Sequence, residues 1–328
     1  MSDRARSGIH PGAVRAPNRM QRFLSVSFGQ PIGPRITTDG RGGYYIDMRV
    51  KATSPRWPPT DDLPPLDEAV YVAVAQWGLG AYEHWLETGS EKWLAAASAI
   101  CDHFVATQCR AGPRAGGWIN DFPFPHTFRL DPPWISAMTQ GEAASLLVRM
   151  HAETGDDAFA EAAIRALRPM TIPSAEGGVQ AELEGGPFFE EYPTTPASQV
   201  LNGGIYALWG VHDVAIALGD ADARDLYEAG LEALTAGIDR WDLGFWTRYD
   251  LHPHPRVNVA SGAYHLLHID QVAAMNKLAP RRALASAEAR WRGYLERRMA
   301  RARAFAGKVA FRMSVPRNRI AEPADDSG

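Results

Sequence analysis

The chain has 328 residues, is 45% hydrophobic, 10% aromatic and 22% charged, and carries a formal net charge of −4. That composition belongs to a folded globular protein, with enough length for one large domain or two ordinary ones, and it argues against a disordered chain. The small negative charge supplies no global positive field, which argues against a nucleic-acid partner.

The first stretch, MSDRARSGIHPGAVRAPNRMQRFLSVSFG, is basic but has no apolar core of signal-peptide length. No run of about 18 apolar residues follows anywhere, so no membrane partner is expected and the cytoplasm is the default compartment. The first 20 or so residues and the last 8 read as loose termini. Residues 1–64 read as an N-terminal extension. Its RGGYYIDMRV piece, from 41, is a short β segment that packs on the helical body.

Residues 65–312 have helical periods throughout. DEAVYVAVAQWGLGAYEHWLETG (67–89) stops at Gly89, and SEKWLAAASAICDHFVATQ then starts with Ser90 as an N-cap candidate. Cys101 and Cys109 fall within that second helix, roughly 12 Å apart along its axis, too far for a disulfide. They read as thiols of a reducing compartment. The same helical-hairpin grammar recurs at 135–155, 198–219 and 262–279, giving four hairpins with a period of about 65 residues.

Gln76, Gln140 and Asn202 occupy matching places, each followed by small residues. The linkers repeat as well, with Gly-aromatic, strand-like pieces at 116, 177 and 244. Helix pairs repeated this way bury each face on a neighbour. The fold class is mainly α: an α/α toroid, or incomplete α/α barrel, with short β-hairpins in its linkers and an open solenoid as the competitor. The polar residues at the inner-helix starts favour the toroid, where they would line one rim. Residues 313–328 read as a loose tail. The arginine-rich stretch 281–319 reads as an amphipathic outer helix with a solvated face, or as a rim guiding a polyanion.

No GxSxG, Walker, GxGxxG or CxxC motif is present. His265 and His268 share a helical face, but no third ligand falls at convincing spacing, so no metal is expected. They are instead candidate site or core histidines. Tyr192, Tyr249 and Tyr264 each sit at the entry to an inner helix or in the linker before it, beside Glu191, Arg248 and His265. A tyrosine with a pKa near ~10 is a poor base unless cations lower it, and Arg248 and Arg256 are the expected cations. Lowered in that way, a phenol suits removal of a weakly acidic C–H proton beside a carboxylate.

At these residues the chain resembles the D-glucuronyl C5-epimerase family. EEYPTTPASQVLNG (190–203) is similar to the family's EEYPTTPSSxVLNG, and SAMTQGEAASLLVR (136–149) to SAMAQGQAxSxLVR. YHLLHIDQ (264–271), Tyr249-Asp250-Leu251 and VAVAQWGLGAY (72–82) also match, so the likeness covers about 65–310. The resemblance implies an α/α toroid in a compact version, since residues 83–116 leave no room for the β-rich domain of animal members. It implies an isomerase that inverts C5 of a glucuronate in a heparosan-like polysaccharide or oligosaccharide through an enediolate, without a redox cofactor.

By the resemblance, Tyr192 and Tyr264 are the two opposed acid/base groups. Tyr249 hydrogen-bonds the carboxylate or relays protons, and Glu191 tunes Tyr192 or holds the carboxylate. Asn202, Tyr206 and Asn258 match substrate contacts. Gln76, Gln140, Arg129, Arg248, His265 and His268 complete the substrate-binding candidates, and Glu190 has no assigned role. The family's arginine after Tyr-Asp-Leu is His252 here, and its Arg-Trp-Asp is Ser261-Gly262-Ala263, with Arg248 and Arg256 as expected substitutes. A homodimer is compatible with the reading. A polysaccharide lyase, a tailoring enzyme on another acid-bearing substrate and a non-catalytic glycan-binding scaffold remain the alternatives.

Overall fold

An apolar helical period closed by a glycine specifies the first three hairpins, and Ala279-Pro280 ends the inner helix of the fourth. A computed structural model describes residues 42–53, 70–124 and 127–316. Its helices are α1 (Arg49–Ala52), α2 (Tyr71–Thr88), α3 (Glu91–Thr107), α4 (Ala137–Thr154), α5 (Asp157–Ala166), α6 (Leu201–Ala217), α7 (Ala221–Gly237), α8 (Gly262–Leu278), α9 (Arg282–Glu296) and α10 (Arg298–Ser314). Gly89 ends α2 in the left-handed conformation, at φ 65°, with its N–H on the Trp85 carbonyl. Asp156 and Asp220 cap α5 and α7 through their side chains. Ser90 takes the N-cap position of α3, but its side chain makes no capping bond.

The four expected hairpins are α2–α3, α4–α5, α6–α7 and α8–α9. α4 and α6 are buried over nearly their whole circumference, as interior helices must be. Their partners α5 and α7 bury one stripe. Inner helices pack in chain order, α2 on α4, α4 on α6 and α6 on α8. No comparable packing joins α2 to α8 among the described residues. The tightest crossing is α4 on α6. A side chain at Gly141 would strike the Ala207 and Tyr206 backbone, and one at Gly210 would strike Gly141.

The linkers are less regular than their sequences suggest. β1 (Gln180–Leu183) and β2 (Gly186–Phe189) form an antiparallel hairpin, pairing Gln180 with Phe189 and Leu183 with Gly186. The linkers at 116 and 244 contribute only isolated bridges, Asn120–Trp134, Asp242–Thr247 and Arg248–Val259. Prolines and bulky aromatics such as Pro123 and Trp246 leave little ladder to form there. Cys109 lies beyond the end of α3, which stops at Thr107, and both cysteines are free thiols.

Residues 42–53 form no strand. Tyr44, Tyr45, Ile46 and Met48 are instead fully buried, and α1 packs on α2, where the Met48 carbonyl sits over Gly80. Arg149, on α4, fastens this segment. Its guanidinium donates to the Gly42 and Gly43 carbonyls (3.0 and 3.1 Å) and to Asp213 Oδ2 (2.7 Å), both partners' side chains being 0% exposed. The Tyr45 hydroxyl donates to the other Asp213 oxygen at 2.5 Å.

Removing one partner of a fully buried ion pair strands the other charge, at a cost of about 3–5 kcal/mol. Arg149→Met is therefore expected to lower unfolding stability by about that amount in a denaturant melt. A loss below about 1 kcal/mol would show that the clamp does not hold the N-terminal segment.

Candidate active site

The site is built at the corner between β2 and α6. Glu190 follows directly on β2. Its N–H reaches the Val179 carbonyl (2.7 Å), and its carbonyl accepts from Ala137 at the start of α4 (2.9 Å). Its buried carboxyl accepts from Ser198 N (2.8 Å), Ser198 Oγ (2.5 Å) and Gln199 N (2.9 Å). The side chain without an assigned role is thus the pin that folds 190–199 back on itself. Gln199 takes a left-handed φ of 44°, unusual for a residue with a side chain. Its amide on the Glu182 carbonyl (2.7 Å) and its own carbonyl under Trp241 Nε1 (3.1 Å) hold it there.

The pinned loop turns Glu191 and Tyr192 inward. Glu191 lies flat on α6, where a side chain at Gly203 would collide with its carboxyl, while Gly204 makes room for the Phe188 ring. Both glycines of Asn202-Gly203-Gly204 are therefore close-approach positions. The Glu191 carboxyl is hydrogen-bonded to Tyr192 and lies 3.4 Å from Asn202 Nδ2. Tyr249 lies within the electrostatic reach of Tyr192, Glu191 and Tyr264. The Tyr249 ring meets the Tyr264 ring edge to face at 4.8 Å. Tyr192 and Tyr249 are 8% and 4% exposed, whereas Tyr264 is 38% exposed, so the three tyrosines run from a buried end to an open one. Ser261 Oγ accepts from Tyr264 N (3.3 Å) and so caps the helix that presents this ring.

Burial raises the Tyr192 and Tyr249 phenols well above 10, and the Glu191 charge adds to the shift. This corrects the expectation of phenols lowered by cations. Arg248 Nε donates to the Asp250 carbonyl (2.5 Å), and the charges it feels are Asp250 and Arg240; Arg256 is exposed. The groups poised near neutrality are carboxyls. Burial raises both Glu190 and Glu191 to about 7.

The remaining sequence candidates divide into two groups. Tyr206 is 2% exposed, stacks on Tyr44 at 6.2 Å, and lies within the electrostatic reach of Glu191, Tyr264 and Glu142. Gln76 is partly exposed and donates to Glu142 Oε1 (3.0 Å). Asn258 is buried between Asp250 and Lys308. These stand around the cluster.

Gln140 does not. Its amide donates to the Gly116 and Ala166 carbonyls (3.0 and 2.8 Å), and its oxygen accepts from Trp118 N (3.3 Å), which makes it a strut between linker and helices. Arg129 is an exposed side chain paired with Asp131 at 3.1 Å.

The histidines have a determinate protonation pattern. His265 Nε2 must donate to the Trp291 carbonyl (3.1 Å), so Nδ1 accepts from Thr247 Oγ1 (2.8 Å). Thr247 Oγ1 then accepts from His268 Nδ1 (3.1 Å), leaving His268 Nε2 as a bare, buried acceptor about one ring away from Tyr264. Burial lowers His265 to about 3 and His268 well below 6.5, so both are neutral. His265 stacks on Trp246 at 3.7 Å with both nitrogens engaged, as a packing residue does.

Two neighbours escaped sequence reasoning. Glu142, where the family string has Gln, is fully buried with one oxygen on Gln76 and its other oxygen without a partner. Lys308, on α10, places its ammonium 2.7 Å from Asn258 Oδ1 and 5.7 Å from the Tyr249 ring centre. A signal for Lys308 existed, because it shares a helical stripe with the buried Ala304 and Phe311.

A mainly helical array of hairpins thus carries a buried carboxyl beside three tyrosines. Residues 111–293 match the D-glucuronyl C5-epimerase C-terminus family, and the chain belongs to that family. It is similar to a D-glucuronyl C5-epimerase of Caenorhabditis elegans, 34% identical over 181 residues, which are 50% of this chain and 29% of that protein. It is also similar to an uncharacterized protein of Methanocaldococcus jannaschii, 29% identical over 141 residues, 42% of this chain and 46% of that one. The chain thus spans under half the length of either relative. Among the described residues no helix is long and apolar enough to cross a membrane.

A carboxyl raised from 4.5 to about 7 keeps its proton in the folded state after the unfolded chain has lost it. Stability is full below 4.5 and declines as pH rises through about 7. The melting temperature of the ligand-free protein is therefore expected to fall over that interval, and Glu191→Gln to flatten the slope. An unchanged slope in Glu191→Gln would mean that Glu191 titrates at its ordinary value.

Proposed function

We propose that the protein inverts C5 of a D-glucuronate residue within a glycan, converting it to L-iduronate on a heparosan-like chain. The observation that carries this reading is Glu191, a buried carboxyl near neutrality beside Tyr192, in a cluster with Tyr249 and the exposed Tyr264. The C5 proton lies α to a carboxylate, so its removal needs a base whose pKa is near the working pH and groups that receive the developing enediolate charge. A general base is most effective when its pKa matches the medium, which favours Glu191 over a phenol pushed above 10.

In this reading Glu191 takes the C5 proton, and the Tyr264 phenol donates a proton to the opposite face. One turnover leaves Glu191 protonated and Tyr264 as phenolate. Glu191 then releases its proton to water and Tyr264 takes one from water, which restores both, so no external acid or base is consumed. Tyr192 and Tyr249 stay neutral throughout, which fits phenols held protonated by burial. Asn202, Tyr206 and Gln76 supply neutral hydrogen-bonding groups to the sugar. A lyase would begin with the same abstraction but would expel the C4 oxygen.

Incubation with heparosan in D2O separates these outcomes. Deuterium is expected at C5 of uronate residues, by NMR, with no new ultraviolet absorbance. Glu191→Gln and Tyr264→Phe are each expected to slow exchange by about 10²–10⁴-fold. Absorbance from an unsaturated uronate would establish a lyase, and binding without exchange would leave a glycan-binding scaffold.

A further inference from the structure

Helix α10 begins at Arg298, beyond residue 293, where the match to the epimerase family ends. It nevertheless packs on the site. Ala300, Ala304 and Phe311 are its buried residues, and Gly307 rests against Val259, next to Asn258. The Phe311 ring meets His254 at 5.1 Å, and His254 stacks on Phe128, which lies against Tyr192 at 5.4 Å. The helix is thus the back of the wall that holds the tyrosine cluster.

On this stripe a lysine stands where an apolar residue is expected. The Lys308 ammonium is held by Asn258 Oδ1 at 2.7 Å. The orientation of that amide is forced. Asn258 Nδ2 donates to Asp250 Oδ2 at 2.5 Å, and a carboxylate only accepts, so the amide oxygen must face the lysine. Asn258 also accepts, through its carbonyl, from Tyr249 N at 2.7 Å. One short turn therefore sets both the cation and the tyrosine. The ammonium lies 5.7 Å from the Tyr249 ring centre and 5.4 Å from that of Phe311.

A uronate substrate brings a negative charge to this cluster, and abstraction at C5 adds a second. The arginines favoured by sequence do not answer that need. Arg248 is turned onto the Asp250 carbonyl, while Arg129 and Arg256 are exposed. We propose that Lys308 binds the uronate carboxylate, so that a helix beyond the 111–293 match completes the substrate pocket. This rests on the reading of the site as a uronate epimerase.

The test measures affinity for heparosan oligosaccharides and for the same oligosaccharides with their carboxyls reduced to alcohols. Wild type is expected to prefer the uronate form, and Lys308→Met to lose about tenfold in affinity for that form only. Lys308→Arg is expected to keep the preference, and Lys308→Gln to repeat the methionine result. A Lys308→Met protein that keeps the wild-type preference, or a wild type that binds both forms equally, overturns the inference. C5 exchange is scored separately. Loss of preference in Lys308→Met with no exchange in wild type would retain the carboxylate site and remove the epimerase reading. Exchange with an unaltered preference would do the reverse.

Discussion

Two adjacent carboxyl groups are held out of water at one corner of the chain, and the site follows from how each is compensated. Glu190 is compensated by backbone: two N–H groups and the Ser198 hydroxyl converge on it, closing the loop 190–199. Glu191 is compensated by side chains, Tyr192 and Asn202, and lies on a helix surface made bare by Gly203. The first makes geometry and the second makes chemistry. Without the pin, nothing would oblige Glu191 to stay in a place that raises its proton affinity, because an unconstrained carboxyl would turn to water.

The helices serve that corner. Close approach of α4 and α6 through Gly141 and Gly210 brings Glu142 and Tyr206 toward Glu191, and Glu142 in turn holds Gln76 of α2. The buried Arg149–Asp213 pair anchors the Tyr44–Met48 segment, and Tyr44 then backs Tyr206. At the other side the Tyr249–Asn258 turn links the tyrosine line to α10. Structural polar groups and candidate chemical ones are thus interleaved. The structural ones, such as Gln140 and His265, are recognised by having every polar atom engaged by backbone or by a neighbouring hydroxyl.

Helical periods, three of them closed by a glycine and the fourth by Ala279-Pro280, made the four hairpins legible in the sequence, because periodicity and helix stops are local signals. Ring closure and strand content were not, since both depend on contacts between distant segments. Tyr192, Tyr249, Tyr264 and Glu191 were legible as candidates through the family strings. Their protonation was not. A sequence shows Arg248 beside Tyr249 but not that its guanidinium turns to the Asp250 carbonyl, nor that burial dominates the phenol. Gln140 and Asn202 occupy equivalent repeat positions, yet one is a strut and the other faces Glu191, because only the first meets linker carbonyls. Lys308 was hidden in a run of basic residues whose solvated members share its charge but not its stripe.

The central claim is that Glu191 is held near neutrality by burial and so can exchange a proton with a substrate. Carbon-13 NMR of glutamate-labelled protein, with Glu191→Gln to assign the resonance, reads that carboxyl directly as pH is varied. The account predicts a midpoint of about 7 for Glu191 in the ligand-free protein. A midpoint near the ordinary 4.5 would contradict it, because the group would then be too weak a base for the role.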